Sequence, residues 1–254
     1  MLIYLGTLPV LLYLLRGRLH ELSRAPGRLL LIAVASGWCN TAFILAMLDG
    51  HVVRVLLLFY LSPVWTVILG FIFLGERPHR IGILTVMIAM LGAIIMLWDK
   101  DVGVPLPQSG ADWLALTSGI SFSVVNVTVR HTQTVSVRIK TVIAWVGVVV
   151  IAGLLIGIDG QALAVSHFGV IVAALLFGLI VMVLMTLSVQ YGVTHMPAHR
   201  SAVILLFEVV VGAVSAYLLT DEIMTAQEWL GGAMVIAAAY VASYIPDEQA
   251  SDAA

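Results

Sequence analysis

Residues 54–93 read RVLLLFYLSPVWTVILGFIFLGERPHRIGILTVMIAMLGA, and residues 200–239 read RSAVILLFEVVVGAVSAYLLTDEIMTAQEWLGGAMVIAAA. Each stretch is one pattern: a basic residue, a long apolar run, a glutamate in a tight turn, and a further apolar run. An offset of 146 aligns them without a gap, so that Arg54 meets Arg200, Val64 meets Val210, Glu76 meets Glu222, Leu84 meets Leu230 and Ala93 meets Ala239. The identities are few, and apolar helices align easily; the charged pair in identical register is what sets the match apart. Each run is long enough, at 1.5 Å per helical residue, to cross a hydrocarbon core of roughly 30 Å.

Outward from this repeat, the whole chain has the same character. Of its 254 residues 61% are apolar and 10% charged, far more apolar surface than a soluble core can hide. No Asp, Glu, Lys or Arg occurs in 30–48, 55–75 or 81–98. Nine spans follow: 2–15, 29–48, 54–74, 81–98, 111–129, 140–158, 168–192, 201–219 and 228–245. The first is short and contains Pro9. Met1 leads directly into apolar residues without the basic start of a secretory signal. Together these predict an all-α polytopic membrane protein of about nine transmembrane helices, with lipid bilayer as its surroundings.

The charges give a topology. Connections 16–28, 75–80, 130–140 and 193–200 fall on one side and hold ten of the twelve basic residues; the other side receives Arg54 and Lys100 with most of the acids. Lys and Arg mark the cytoplasmic face, so the first set is expected inside, together with the C-terminus. The tail, 246–254, is polar and expected to be disordered. Within the repeat, the third span pairs with the eighth, an odd displacement, so the two copies run in opposite directions across the membrane. Inverted repeats of this kind recur in secondary transporters, with the site near midplane between the halves.

Glu208 is the one acid well inside a span, eight residues or roughly 12 Å past Arg200. A charge at that depth costs several kcal/mol unless it faces a partner or a water-filled cavity. Ser201, Gly212 and Ser215 share its helical face and form a small, polar stripe. Glu208 reads as a cation-binding or proton-carrying group, or as a protonated residue hydrogen-bonded for packing. The repeat puts Ser62 at its equivalent position and Thr66 opposite Gly212. Beside Ser62, Pro63 frees a carbonyl one turn earlier, which marks either a polar midplane patch or an ordinary kink. Arg54 and Arg200 begin equivalent helices; they are candidate gates or anion contacts, or they snorkel to headgroups. Trp38, Asn40, Asn126, Trp145, Gln190 and Tyr191 are candidate cavity lining or helix-to-helix glue. Glu76 and Glu222 read as structural turn residues. Gly153 and Gly157 form a GxxxG that reads as close helix packing.

The first copy, FYLSPVWTVILGFIFLGERP (59–78) with IGILTVMIAMLGAIIML (81–97), resembles the EamA-type drug/metabolite transporters in its proline-containing span, glycine-glutamate turn and following glycine-rich span. The other copy, Arg200 to Ser243 with TDE at 220–222, resembles the matching half, and 118–130 resembles the opening span of the second repeat. The resemblance implies a ten-helix transporter of two repeats; against that pattern, residues 1–254 are expected to correspond to the family's helices from the second onward, with 2–15 reading as a shortened second helix. It also differs at Val209, where many members carry a further proline. The implied organisation is a first repeat over 1–98, a connection over 99–110, a second repeat over 111–245 and the tail 246–254.

The function implied is secondary active transport of small metabolites or amphipathic compounds, in the direction of efflux and with protons as one coupling option, in a cell membrane such as a bacterial inner membrane. A non-transporting membrane partner is the alternative, favoured by the expected start at the family's second helix. An intramembrane enzyme fits less well: there is one mid-span acid, no mid-span histidine, and no HExxH or GxSxG. No Walker phosphate loop occurs, so direct drive by ATP is not expected. Cys39 is the lone cysteine and all seven histidines sit in or next to loops, so neither a metal nor another cofactor is expected. The net charge of −2 gives no sign of nucleic-acid binding. The expected partners are a small-molecule substrate and, as an option, another copy in a homodimer.

Overall fold

The computed structural model describes residues 2–77, 79–98, 106–159, 168–219 and 224–244. Among the described residues the chain is all helical. α1 covers residues 2–15 in two pieces, Leu2–Leu5 and Leu8–Leu15, with Pro9 in the first turn of the latter. The others are α2 (Pro26–Asp49), α3 (Val52–Leu74), α4 (Arg80–Leu97), α5 (Gly110–His131), α6 (Val137–Asp159), α7 (Phe168–His195), α8 (Ala198–Leu219) and α9 (Ala226–Tyr244). Their starts follow from local chemistry. Pro26 sits where α2 has no use for an N–H. Ser109 and Asp112 close a capping box on α5, the Asp112 amide donating to Ser109 Oγ at 3.2 Å and the Ser109 amide to Asp112 Oδ2 at 3.1 Å.

By length and apolarity six described helices can each cross a membrane: α2, α3, α4, α6, α7 and the Ala198–Ser215 part of α8. The nine-span expectation is thus met in six. α1 is short and broken, as its proline implied. α5 is long enough but spends its apolarity on Ser118, Ser123, Asn126 and Thr128, all buried, because it packs against α2, α3, α7 and α8 at the centre of the bundle. α9 is rich in glycine and alanine rather than leucine.

Two expectations about single helices change. α3 is not one continuous helix: it breaks at Tyr60 and Leu61, restarts at Ser62 with Pro63 in its first turn, and ends in a π-turn, Gly70–Leu74. The Phe59 carbonyl, left without a donor by Pro63, lies against Gly119 of α5, where a Cβ would stand 2.7 Å from it. Gly75 closes the π-turn at φ +68°, a left-handed conformation that glycine adopts without strain. The GxxxG of α6 is also corrected. Nothing lies within 4 Å of a Cβ placed on Gly153 or Gly157. The close helix contact is two turns earlier, where Gly147 meets the Ala33 carbonyl of α2 and a Cβ on Gly37 would stand 2.5 Å from the Gly147 carbonyl. The GxxxG spacing marks a smooth face without saying what covers it.

The four basic connections come together on one face of the bundle. Glu76, after α3, accepts from Arg130 Nε at the end of α5 (3.3 Å) and from the Ala198 amide that opens α8 (2.7 Å). Arg130 Nη1 also donates to the Thr194 carbonyl of α7 at 3.0 Å. Arg24 Nη1 donates to the Thr134 carbonyl at 3.2 Å. Glu21 accepts from the Ser136 amide at 2.7 Å and from Arg18 at 3.1 Å. Burial works against the Glu21 charge, but these donors outweigh it and hold the carboxyl below its ordinary range. Arg200 donates to the Ser243 carbonyl, so the end of α9 lies on this face too. At the opposite face Arg54 pairs with Asp112 at 3.2 Å, and Gln227 donates to the carbonyls of Ile95 and Trp98 at 2.6 and 2.7 Å. The Thr220 to Glu222 turn and the 246–254 tail lie outside the described residues.

The repeat has a physical counterpart in α4 and α9. They pack antiparallel: Gln227 at the start of α9 meets the end of α4, while Gly231 and Val235 meet Gly92 two turns further in. The buried residues of α9 are Gly231, Gly232, Val235, Ala238 and Ala242; shifted by 146 they become Thr85, Val86, Ala89, Gly92 and Met96, every one buried in α4. Each helix thus turns the same face to the other. An axis along the membrane normal would leave equivalent helices parallel; the antiparallel packing of this pair is the arrangement that a two-fold axis perpendicular to the helices produces.

Candidate functional site

A cleft with about 860 Å³ of empty space, part of it open to the exterior, lies between α1, α2, α5, α6, α7 and α8. Its polar lining comes from Tyr4, Ser36, Asn40, Asn126, Gln190 and Glu208, and its aromatic walls from Phe122 and Trp145. Glu208 also lines another, smaller hollow with Tyr60, Ser62, Pro63 and Thr66, formed where the break in α3 faces α8. Glu208 therefore stands where the two hollows adjoin, exposed to the space within them, with no hydrogen bond or ion pair among the described residues.

The polar groups around it fall into two sets. Asn40 is satisfied: Tyr4 Oη donates to its Oδ1 at 2.7 Å, and its Nδ2 donates to the Ser36 carbonyl at 2.9 Å. Trp145 Nε1 donates to Thr186 Oγ1 at 3.4 Å. By contrast Asn126 Nδ2, Gln190 Oε1 and Ser36 Oγ are buried without a partner among the described residues, and all three residues line the cleft. A buried polar atom left unmade costs about 1–3 kcal/mol, so such a cluster asks for water or a ligand to complete it. One donor, one acceptor, a hydroxyl and a carboxylate beside aromatic walls can hold a small molecule that has polar groups at one end and an apolar body.

The structure brings Glu208, Asn40, Asn126, Trp145 and Gln190 to one cleft and Ser62 to the hollow beside it. It does not bring Trp38, Arg54, Arg200 or Tyr191. Trp38 points away and donates to Thr117 Oγ1 at 3.3 Å. Arg54 is held at the face of the bundle by Asp112 and the Leu106 carbonyl, and Arg200 by Ser243. Tyr191 is 63% exposed and stacks near His195. Nor do Ser201, Gly212 and Ser215 form the cleft wall beside Glu208. Ser201 turns back to donate to the Ala198 carbonyl, and the α8 residues beside Glu208 are Ala202, Leu205 and Leu206. Tyr4 was missed because α1 is too short to read as a full span. Phe122 is an ordinary apolar residue by sequence; only the α5 register puts it in both hollows.

A helical, multi-pass membrane protein with a polar cleft between its helices is what the fold and site define. Residues 1–98 and 109–244 match the EamA-like transporter family, and the chain belongs to it. Among relatives, an "Uncharacterized transporter" of Archaeoglobus fulgidus is 24% identical over 94% of this chain and 83% of its own length. A "Probable amino-acid metabolite efflux pump" of Escherichia coli (strain K12) is 24% identical over 70% of this chain and 62% of that protein. Protein RarD of the same organism is 32% identical over 83 residues, 32% of this chain, and the match spans 28% of RarD's length. One crystal structure shares the fold, with a TM-score of 0.66 over 95% of this chain and 94% of that one, at 15% identity.

Proposed function

We propose that the cleft between α5, α7 and α8 is the substrate site of a secondary active exporter of small amphipathic metabolites, with Glu208 as the group that couples transport to protons. One observation carries the proposal: an unpaired carboxylate shares a cleft with three buried polar atoms that have no protein partner among the described residues. A carboxylate there can hold a substrate amine when ionised or a proton when neutral, and exchange between the two is a coupling mechanism. The name of the Escherichia coli efflux relative supports amino-acid-like compounds as the first substrates to try. Purified protein in vesicles should move members of a panel of amino acids, nucleosides and organic cations in response to an imposed pH gradient. Glu208→Gln should leave the fold and substrate exchange in place while removing the response to the gradient. A Gln variant with unchanged pH dependence would make Glu208 a packing residue.

A further inference from the structure

Another opening, separate from the transport cleft, lies on the outside of the bundle between α2, α3 and α5, with about 590 Å³ of empty space. None of its lining residues belongs to the cleft. Its floor is the Val124 and Val127 stripe of α5, and its walls are Leu31 of α2 and Phe73 of α3, 45% and 62% exposed. At one end stand two groups of different character, Arg28 in the first turn of α2 and His131 at the last residue of α5. Both are exposed, and neither makes a hydrogen bond or ion pair through its side chain among the described residues. The floor from His131 to Val124 is seven residues, so the groove runs roughly 10 Å inward from its basic end.

We propose that this groove binds an anionic phospholipid, its phosphate between Arg28 and His131 and the start of one acyl chain along Val127 and Val124. Charge complementarity selects the occupant. The basic end belongs to the face that gathers Arg24, Arg130 and Arg200, and no carboxylate lines the groove among the described residues. Basic pockets between membrane helices on such a face recognise lipid headgroups, and juxtamembrane Lys and Arg are drawn to anionic leaflets. A free phosphate would leave the apolar length of the groove unfilled, and a zwitterionic lipid would bring no net negative charge to Arg28. The π-turn of α3 forms the Phe73 wall, so an occupant here would brace the end of α3 that carries Glu76.

The test is thermal unfolding of the full chain in detergent, titrated separately with phosphatidylglycerol, with phosphatidylcholine of the same chains and with inorganic phosphate. Phosphatidylglycerol should raise the midpoint at concentrations at least tenfold below phosphatidylcholine, and phosphate should do nothing. Arg28→Gln/His131→Gln, which alters two exposed side chains, should remove that tenfold preference. Val124→Phe, which fills the inner groove and keeps Arg28 and His131, should weaken the response to phosphatidylglycerol. Equal response to the two lipids, a full response to phosphate, no response to any, or an unchanged preference in the double variant would overturn the proposal.

Discussion

Lys140 shows how much one side chain can organise. It is fully buried at the start of α6, yet no carboxylate among the described residues holds it. Its three protons go to the Val129 carbonyl (2.9 Å), the Thr132 carbonyl (3.3 Å) and Thr194 Oγ1 (2.9 Å). The first two are at the C-terminal end of α5, where unpaired carbonyls and the helix dipole favour a cation. Thr194 ties the lysine to α7, and the Thr194 carbonyl in turn receives Arg130 and Gln133. Lys140→Met would keep the volume and leave three acceptors without their donor, a loss on the order of 2–4 kcal/mol. The midpoint of thermal unfolding should fall accordingly, while Arg138→Gln, at an exposed position in the same connection, should not move it. The sequence showed Lys140 only as one of ten basic connection residues. Burial of a cation by backbone carbonyls has no sequence signature, because its partners are not residue types. Glu208 was legible for the opposite reason: an acid within an apolar run is costly wherever the fold puts it. Trp38 was a candidate by its type within a span, and Arg54 and Arg200 by their equivalent places in the repeat; neither type nor repeat register fixes the direction in which a helix turns a side chain.

At the scale of elements, helix positions followed from apolar run length and charged breaks, and the nine described helices fall on the nine spans. Breaks within helices were only half legible. Pro63 announced a disturbance in α3, but whether its freed carbonyl would find a donor, a water or a bare glycine depended on the register of α5. The glycines of α6 make the same point. Gly147→Leu would drive a side chain into the α2 backbone at Ala33, where backbone cannot yield cheaply, and α2 also packs along α5. Gly153→Leu would meet open space. Gly147→Leu is therefore expected to abolish monodisperse, folded protein in gel filtration, and Gly153→Leu to leave it as in the parent. A folded Gly147→Leu protein with a parental unfolding midpoint would mean that α2 and α6 are not in close contact.

At the scale of the whole molecule, the basic residues and the helix packing lead to the same face. Ten of twelve lie in connections assigned to one side by alternation alone, and hydrogen bonds join members of that set across α3, α5, α6, α7 and α8. An error of one span in the count would have placed these partners on opposite faces, where no side chain could join them. The face carries Arg16, Arg18, Arg24, Arg28, Arg77, Arg80, Arg130, Arg138 and Arg200, most of them in short connections, where positive charge decides orientation. It also holds Ser243, at the end of α9, through Arg200. We therefore expect the basic face and the C-terminus in the cytoplasm of a cell membrane, and Gly50, between α2 and α3, outside. Green fluorescent protein fused after Ser243 should fluoresce, and alkaline phosphatase at the same point should be inactive. The phosphatase inserted at Gly50 should be active, because that turn lies at the face of Arg54 and Asp112. Activity after Ser243 with silence at Gly50 would invert the molecule in the membrane. Equal activity at both points would break the two-face arrangement itself, since α2 and α9 would then have to end on one side.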